Sequence, residues 1–381
     1  MLPTGVRHSP LTAPVVARLR AVLARSSGRR DVFAKVGDSI TVSGHFARCL
    51  TGSDIRWGAH SALTATRDFF AHSPADDQGH TSFDRTTEAA HVGWRTGRVL
   101  AGQRSPLVRE LDAVRPAWAV VMLGTNDTYP DGMQDYERQL RRVLTTLLER
   151  DVVPLVSTLP PRRDSATAAA QTVEMNAVVR ALAAELSLPL MDLHGALDPL
   201  PHAGLNRDGV HPDAAREDRY HGCWFDDAGL TAGMNQRNLL VLEALDRMRR
   251  LVLGDEPPET APAPEGDGTW AHPLVVTAPG WSGDGRRGEK VAASYPCHRQ
   301  PFAGPEQVFR IDVAQPGQRR VRLFGGEKLG LRWLTAPGAD ACAAAARRKL
   351  DVNVQPGSYW LAVDAPSDEL AGPYLVTVVS P

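Results

Sequence analysis

The spacing of apolar positions divides the chain into two regimes that meet near residue 255. In the first, short unbroken apolar runs alternate with stretches of helical period. Residues 31–36 (DVFAKV), 118–123 (WAVVML), 152–158 and 188–193 (LPLMDL) read as strands. The run WAVVML has no polar alternation, as expected of a strand covered on both faces. Between them, Leu140, Val143, Leu144, Leu147 and Leu148 recur at i, i+3, i+4, i+7 and i+8, which predicts a helix over 136–150. Further helices are expected at 15–25, 172–186 and 230–252. Strand and helix in this alternation build βαβ units around a parallel sheet, so the first regime is expected to be a three-layer α/β domain.

The second regime has the period of strands. Phe309, Ile311 and Val313 alternate with polar residues before Gln315-Pro316-Gly317, and Leu350, Val352 and Val354 do so before Gln355-Pro356-Gly357. Short alternating strands joined by Pro-Gly turns predict a β-sandwich. Between the regimes lies DEPPETAPAPEGDG, acidic and Pro-rich, with the character of a semi-rigid linker. The expected domains are therefore 1–253, a linker at 254–268, and 269–381.

Composition narrows the function classes. The chain has 381 residues, is 43% hydrophobic and 23% charged, and has a formal net charge of −1. That is enough apolar material for packed cores and too little positive charge for a nucleic-acid binder. No apolar run reaches the length of a membrane span.

Three short motifs carry chemistry. Gly37-Asp38-Ser39-Ile40 follows the first strand, where a serine can present its Oγ at the carboxyl edge of a parallel sheet. Gly124-Thr125-Asn126-Asp127 follows WAVVML, where an Asn amide can donate to a developing oxyanion. Asp208-Gly209-Val210-His211-Pro212 lies in the last long loop, where a carboxylate three residues before an imidazole can orient it as a base. Each alone also reads as an ordinary turn or cap. The combination, in the order Ser, Asn, Asp–His, is far more specific.

These blocks, GDSI, GTND and DGVH, resemble those of the SGNH, or GDSL-type, serine hydrolases over roughly 31–253. The resemblance implies a flavodoxin-like three-layer fold and hydrolysis of carboxylic esters through an acyl-enzyme, with no cofactor and no metal. It implies Ser39 as nucleophile, His211 as general base and Asp208 as its orienter. The oxyanion hole would comprise the Ser39 amide, a glycine amide and the Asn126 side chain. The glycine block departs from the family's usual form: AAHVGWRTG offers Gly93, the preferred candidate, and Gly97. Trp94 is a candidate for lining the acyl or leaving-group site, or for simple packing. His194, His202 and His221 lack metal-ligand spacing. Asp38 and Asp127 read as loop hydrogen-bonders, and Arg141-Arg142 and Arg249-Arg250 as solvated faces.

The stretches GPEQVFRIDV, LDVNVQPGSYWLAVD and AGPYLVTV resemble the bacterial pre-peptidase C-terminal β-sandwich appended to secreted hydrolases. That resemblance implies a secreted or periplasmic protein, although residues 1–10 contain no apolar leader. It favours two disulfides over four thiols. Because the linker separates the cysteines two and two, the expected pairs are Cys49–Cys223 and Cys297–Cys342. The expected substrate is a short-chain acyl ester, with acetylated polysaccharide as the carbohydrate case. The rivals are a lipase or lysophospholipase of the same fold and a non-catalytic carbohydrate-binding or adhesion protein.

Overall fold

The computed structural model describes residues 7–128, 132–298, 302–326 and 328–380. By internal contacts the chain divides into two compact units, one built from 5–175 and 187–261, the other from 262–381 with 176–186.

In the first unit, β1 (Arg29–Gly37), β2 (Pro116–Met122), β3 (Val153–Ser157) and β4 (Leu190–Met191) form a parallel sheet in that spatial order. Gly37 pairs with Met122 on one side and bridges in parallel to Ala90 on the other. The segment ending at Ala90 thus lies outside β1, which gives the order of a flavodoxin-like doubly wound sheet. Every residue of β2 is buried, which explains the unbroken apolar run: helices cover both faces and leave no polar side to alternate with.

The helices are α1 (Ala13–Arg25), α2 (Ser39–Val42), α3 (Thr64–Ala71), α4 (Pro106–Val114), α5 (Met133–Glu149), α6 (Ala166–Glu185), α7 (Leu193–Leu197) and α8 (Gly233–Arg247). Local chemistry sets several of their ends. Helix α4 starts with the Ser105 hydroxyl accepting from the Val108 amide and with Pro106 in its first turn, where no donor is lost. Helix α5 buries Leu140, Val143, Leu144 and Leu147, the stripe expected from its spacing. A two-strand ribbon, β5 (Ala215–Arg216) and β6 (Tyr220–His221), follows the last motif.

The second unit holds β7 (Leu274–Val275), β8 (Gly280–Asp284), β9 (Glu306–Val313), β10 (Gly317–Gly325), β11 (Gly330–Leu334), β12 (Cys342–Ala346), β13 (Lys349–Val354), β14 (Gly357–Asp364) and β15 (Pro373–Val379). They make two sheets, β13-β10-β15-β8 and β12-β11-β14-β9-β7. One apolar core joins them, with Trp281, Val321, Leu323 and Val376 from the first sheet and Phe309, Leu331, Trp333, Leu361 and Val363 from the second. This is a β-sandwich. Its first strands, β7 and β8, precede Cys297 and are too short and Gly-rich to stand out by alternation.

Candidate active site

Ser39 opens α2 at the carboxyl end of β1. Asp38 caps that turn, its Oδ1 accepting from the Ile40 amide at 3.0 Å. The Asp38 side chain is fully buried, and burial pushes its carboxyl above the usual range. Ser39 Oγ lies 2.9 Å from His211 Nε2, and His211 Nδ1 lies 2.7 Å from Asp208 Oδ2. The carboxylate only accepts, so Nδ1 carries the hydrogen and Nε2 faces the serine as an acceptor. Asp208 Oδ1 takes the amides of Val210 and His211 at 2.9 and 3.0 Å. Partial burial works to raise the Asp208 carboxyl, but these amides and the imidazole outweigh it and hold it below the usual range.

The loop carrying Asp208 and His211 is seated against residues 163–164. Gly209 has φ +70°, and a Cβ there would come within 2.7 Å of the Asp164 amide nitrogen. The Arg163 amide donates to the Gly209 carbonyl at 2.8 Å. Neighbouring Arg162 forks onto Asp164 and donates to the Thr125 carbonyl at 2.7 Å. One short segment therefore braces both the His211 loop and the Asn126 loop.

In the GTND turn, Gly124 has φ +135°, and a Cβ would meet the Tyr136 ring at 2.8 Å and Leu159 at 2.9 Å. The turn closes with the Asp127 amide on the Gly124 carbonyl at 2.8 Å. Asn126 Nδ2 donates one hydrogen to the Trp94 carbonyl at 3.0 Å. A primary amide has two, so the second is oriented by the first. Asp127 reaches back to the glycine block, its Oδ2 accepting from both the amide and hydroxyl of Thr96 at 2.9 Å. Burial pushes its carboxyl up to about 6. Gly93 sits with φ +75° on the exposed turn that carries Trp94. Gly97 lies within the short helix Thr96–Leu100, with the Gln139 side chain 3.3 Å from where its Cβ would be.

A second layer of this machinery escapes motif reading. Helix α8 buries a polar run, Asn235-Gln236-Arg237-Asn238. Arg237 donates to the Ile40 carbonyl at 2.7 Å and Thr41 Oγ1 at 2.9 Å, and stacks 3.7 Å above the Phe46 ring. Asn238 takes the Ala47 amide and donates to the carbonyls of His45 and Gly222, each at 2.9 Å. Asn235 donates to the carbonyls of His221 and Trp224. The helix thus ties the segment after Ser39 to the segment after His211. The available signal was four consecutive polar residues followed directly by the apolar run Leu239-Leu240-Val241-Leu242.

Disulfides join Cys49 to Cys223 and Cys297 to Cys342. The first links the chain beyond α2 to the residue pair following β6. Nearby, His221 Nδ1 and Nε2 meet Asp54 and Asp218 at 2.8 and 3.2 Å, and its ring stacks on Trp224 at 3.8 Å. Glu217, Asp218 and His221 bring potential ligand atoms within 4.8 Å of one another. Arg56 faces Glu217, His221 lies between Asp54 and Asp218, and Arg219 also reaches Asp54, so the arrangement reads as an ion-pair network. His194 and His202 stand apart from this group. The arginine pairs are also more engaged than solvated faces would be: Arg141 bonds Glu137, and Arg249 and Arg250 both bond Asp246.

Residues 36–217 match the model of the GDSL-like Lipase/Acylhydrolase family. No match was found among curated proteins. Among solved structures, the chain is similar to the acetylxylan esterase Axe2 of Geobacillus stearothermophilus, at 18% identity and a TM-score of 0.37, over 58% of this chain and 94% of that one. A GDSL-like lipase of Bacteroides thetaiotaomicron is similar at 14% identity and a TM-score of 0.36, over 61% of this chain and 97% of that one. The family match spans all three sequence motifs, from the last two residues of β1 through β4. The chain carries a domain of the GDSL-like lipase/acylhydrolase family, and the protein is a hydrolase.

Proposed function

We propose that the protein is an exported serine esterase that cleaves short-chain acyl esters through an acyl-enzyme. The observation that carries the reading is the unbroken chain from Ser39 Oγ to His211 to Asp208, at 2.9 and 2.7 Å. His211 Nε2 takes the Ser39 proton as Oγ attacks the ester carbonyl, and Asp208 stabilises the imidazolium. The amides of Ser39 and Gly93 and the second Asn126 N–H hold the oxyanion. Collapse releases the alcohol, which leaves with the proton from His211. Water, activated by the same imidazole, then attacks the acyl-serine, and collapse frees the acid and restores Ser39.

The same reading assigns catalysis to 1–253 and leaves 269–381 as an accessory module beyond a linker. Two disulfides support an oxidising compartment.

A series of p-nitrophenyl esters of rising chain length, hydrolysed by wild type and by Ser39→Ala, tests the proposal. Wild type should favour acetate and butyrate. The folded Ser39→Ala variant should lose several orders of magnitude in kcat. A preference for long chains would favour the lipase reading, and normal turnover by Ser39→Ala would remove the nucleophile.

A further inference from the structure

We infer that His91 and Trp94 form the subsite for the alcohol half of the ester, and that this alcohol is a sugar. The inference rests on the esterase reading above and deepens it.

Position comes first. Ala90 bridges in parallel to Gly37, so the chain leaves the sheet at His91 one strand away from where it leaves at Asp38 and Ser39. Neighbouring strands are about 4.8 Å apart. Three residues on, the Trp94 carbonyl receives the Asn126 amide. The turn 91–94 therefore borders the ground between the serine and the proposed oxyanion donor, where a leaving alcohol must pass.

Shape comes next. The His91 and Trp94 rings stack with centroids 5.5 Å apart and planes inclined by 26°. His91 and Gly93 are exposed, and Val92 is 64% exposed. Val42, three residues beyond Ser39, is also exposed, at 39%. Such a surface offers flat apolar cover from one side only. A fatty acyl chain gains most from enclosure on all sides. A pyranose ring needs less, because it can lay one C–H face on the rings and keep its hydroxyls in water.

The polar group on the platform has a defined sense. His91 Nδ1 lies 2.9 Å from the Val92 carbonyl, which can only accept. The ring hydrogen is therefore on Nδ1, and Nε2 of the neutral imidazole is an acceptor. An acceptor at the edge of a flat apolar platform suits a hydroxyl donor on a sugar ring.

The test compares two acetates that differ only in the alcohol: a mono-O-acetylated methyl pyranoside and ethyl acetate. Wild type should prefer the sugar ester in kcat/KM. The deacetylated methyl pyranoside should inhibit ethyl acetate hydrolysis competitively. In His91→Ala and Trp94→Ala, the ratio of the two kcat/KM values should fall at least about tenfold, through KM for the sugar ester, and the inhibition should weaken with it. His91 is exposed, so His91→Ala tests the subsite without disturbing the core. His91→Gln, which restores an acceptor, should recover part of the ratio. An equal fall for both acetates would mean that the turn only holds Asn126 and would overturn the proposal. So would a wild-type enzyme indifferent to the alcohol, although its turnover of ethyl acetate would leave the esterase reading standing. Wild type that cleaves neither acetate would remove both.

Discussion

At Asn126, one amide hydrogen goes to the Trp94 carbonyl, and the mechanism proposed above gives the other to the oxyanion. Such a donor is fixed before the reaction starts, so it costs no reorganisation when charge develops on the ester oxygen. Asn126→Ala should therefore lower kcat by about 10²–10³-fold while changing KM little. Steady-state kinetics on p-nitrophenyl acetate would read this directly, and a change confined to KM would make Asn126 a ground-state contact instead.

Its neighbour Asp127 follows a different logic. Burial raises its carboxyl from 3.8 to about 6, against the pull of the Thr96 amide and hydroxyl and of Arg95, and with a further push from Asp38. Below pH 4 the group is protonated whether the chain is folded or not. Between 4 and 6 the unfolded chain gives up the proton more readily, so stability drains away as pH rises. A shift of this size corresponds to about 2–3 kcal/mol, fully felt above pH 6. Asp127→Asn keeps an acceptor for Thr96 and removes the charge. Its unfolding free energy relative to wild type should therefore rise by about 2–3 kcal/mol from pH 4 to 7 and then level off. Urea unfolding across that range would show it, and a difference independent of pH would mean that Asp127 does not titrate there.

At the scale of elements, legibility in the sequence followed periodicity. Helix α5 and strand β2 could be read because burial imposes a period of 3.6 on one and an unbroken run on the other. Ser39, Asn126, Asp208 and His211 could be located because each stands just past a readable strand or in the last long loop. Much of the irregular chain over 43–105 could not, since turns and short 3₁₀ segments leave no period to detect. Helix α8 was legible only in outline. Its Asn235, Arg237 and Asn238 count as outward-facing in any polarity pattern, yet they are buried because loop carbonyls and amides take the place of water. The choice between Gly93 and Gly97 was open for a related reason: spacing alone does not say which glycine falls on an exposed turn and which inside a helix.

At the scale of the whole molecule, each disulfide closes within one compact unit. In the chain-entropy picture, a closure as long as Cys49–Cys223 opposes unfolding by about 5 kcal/mol, a figure that depends on the unfolded state assumed. It also makes a covalent ring of residues 49–223. Gly93, Asn126, Asp208 and His211 are inside the ring, and Ser39 is on the tail that enters it. A backbone cut anywhere inside the ring opens it without detaching anything. With a protease site grafted into the exposed turn at 77–79, the cleaved protein should migrate as one species in denaturing gels and as two after reduction. Two species without reductant would show the pair to be open. Under the exported-esterase reading proposed above, a nick in that stretch need not be a loss: the fragment bearing Ser39 and the fragment bearing His211 would remain one molecule.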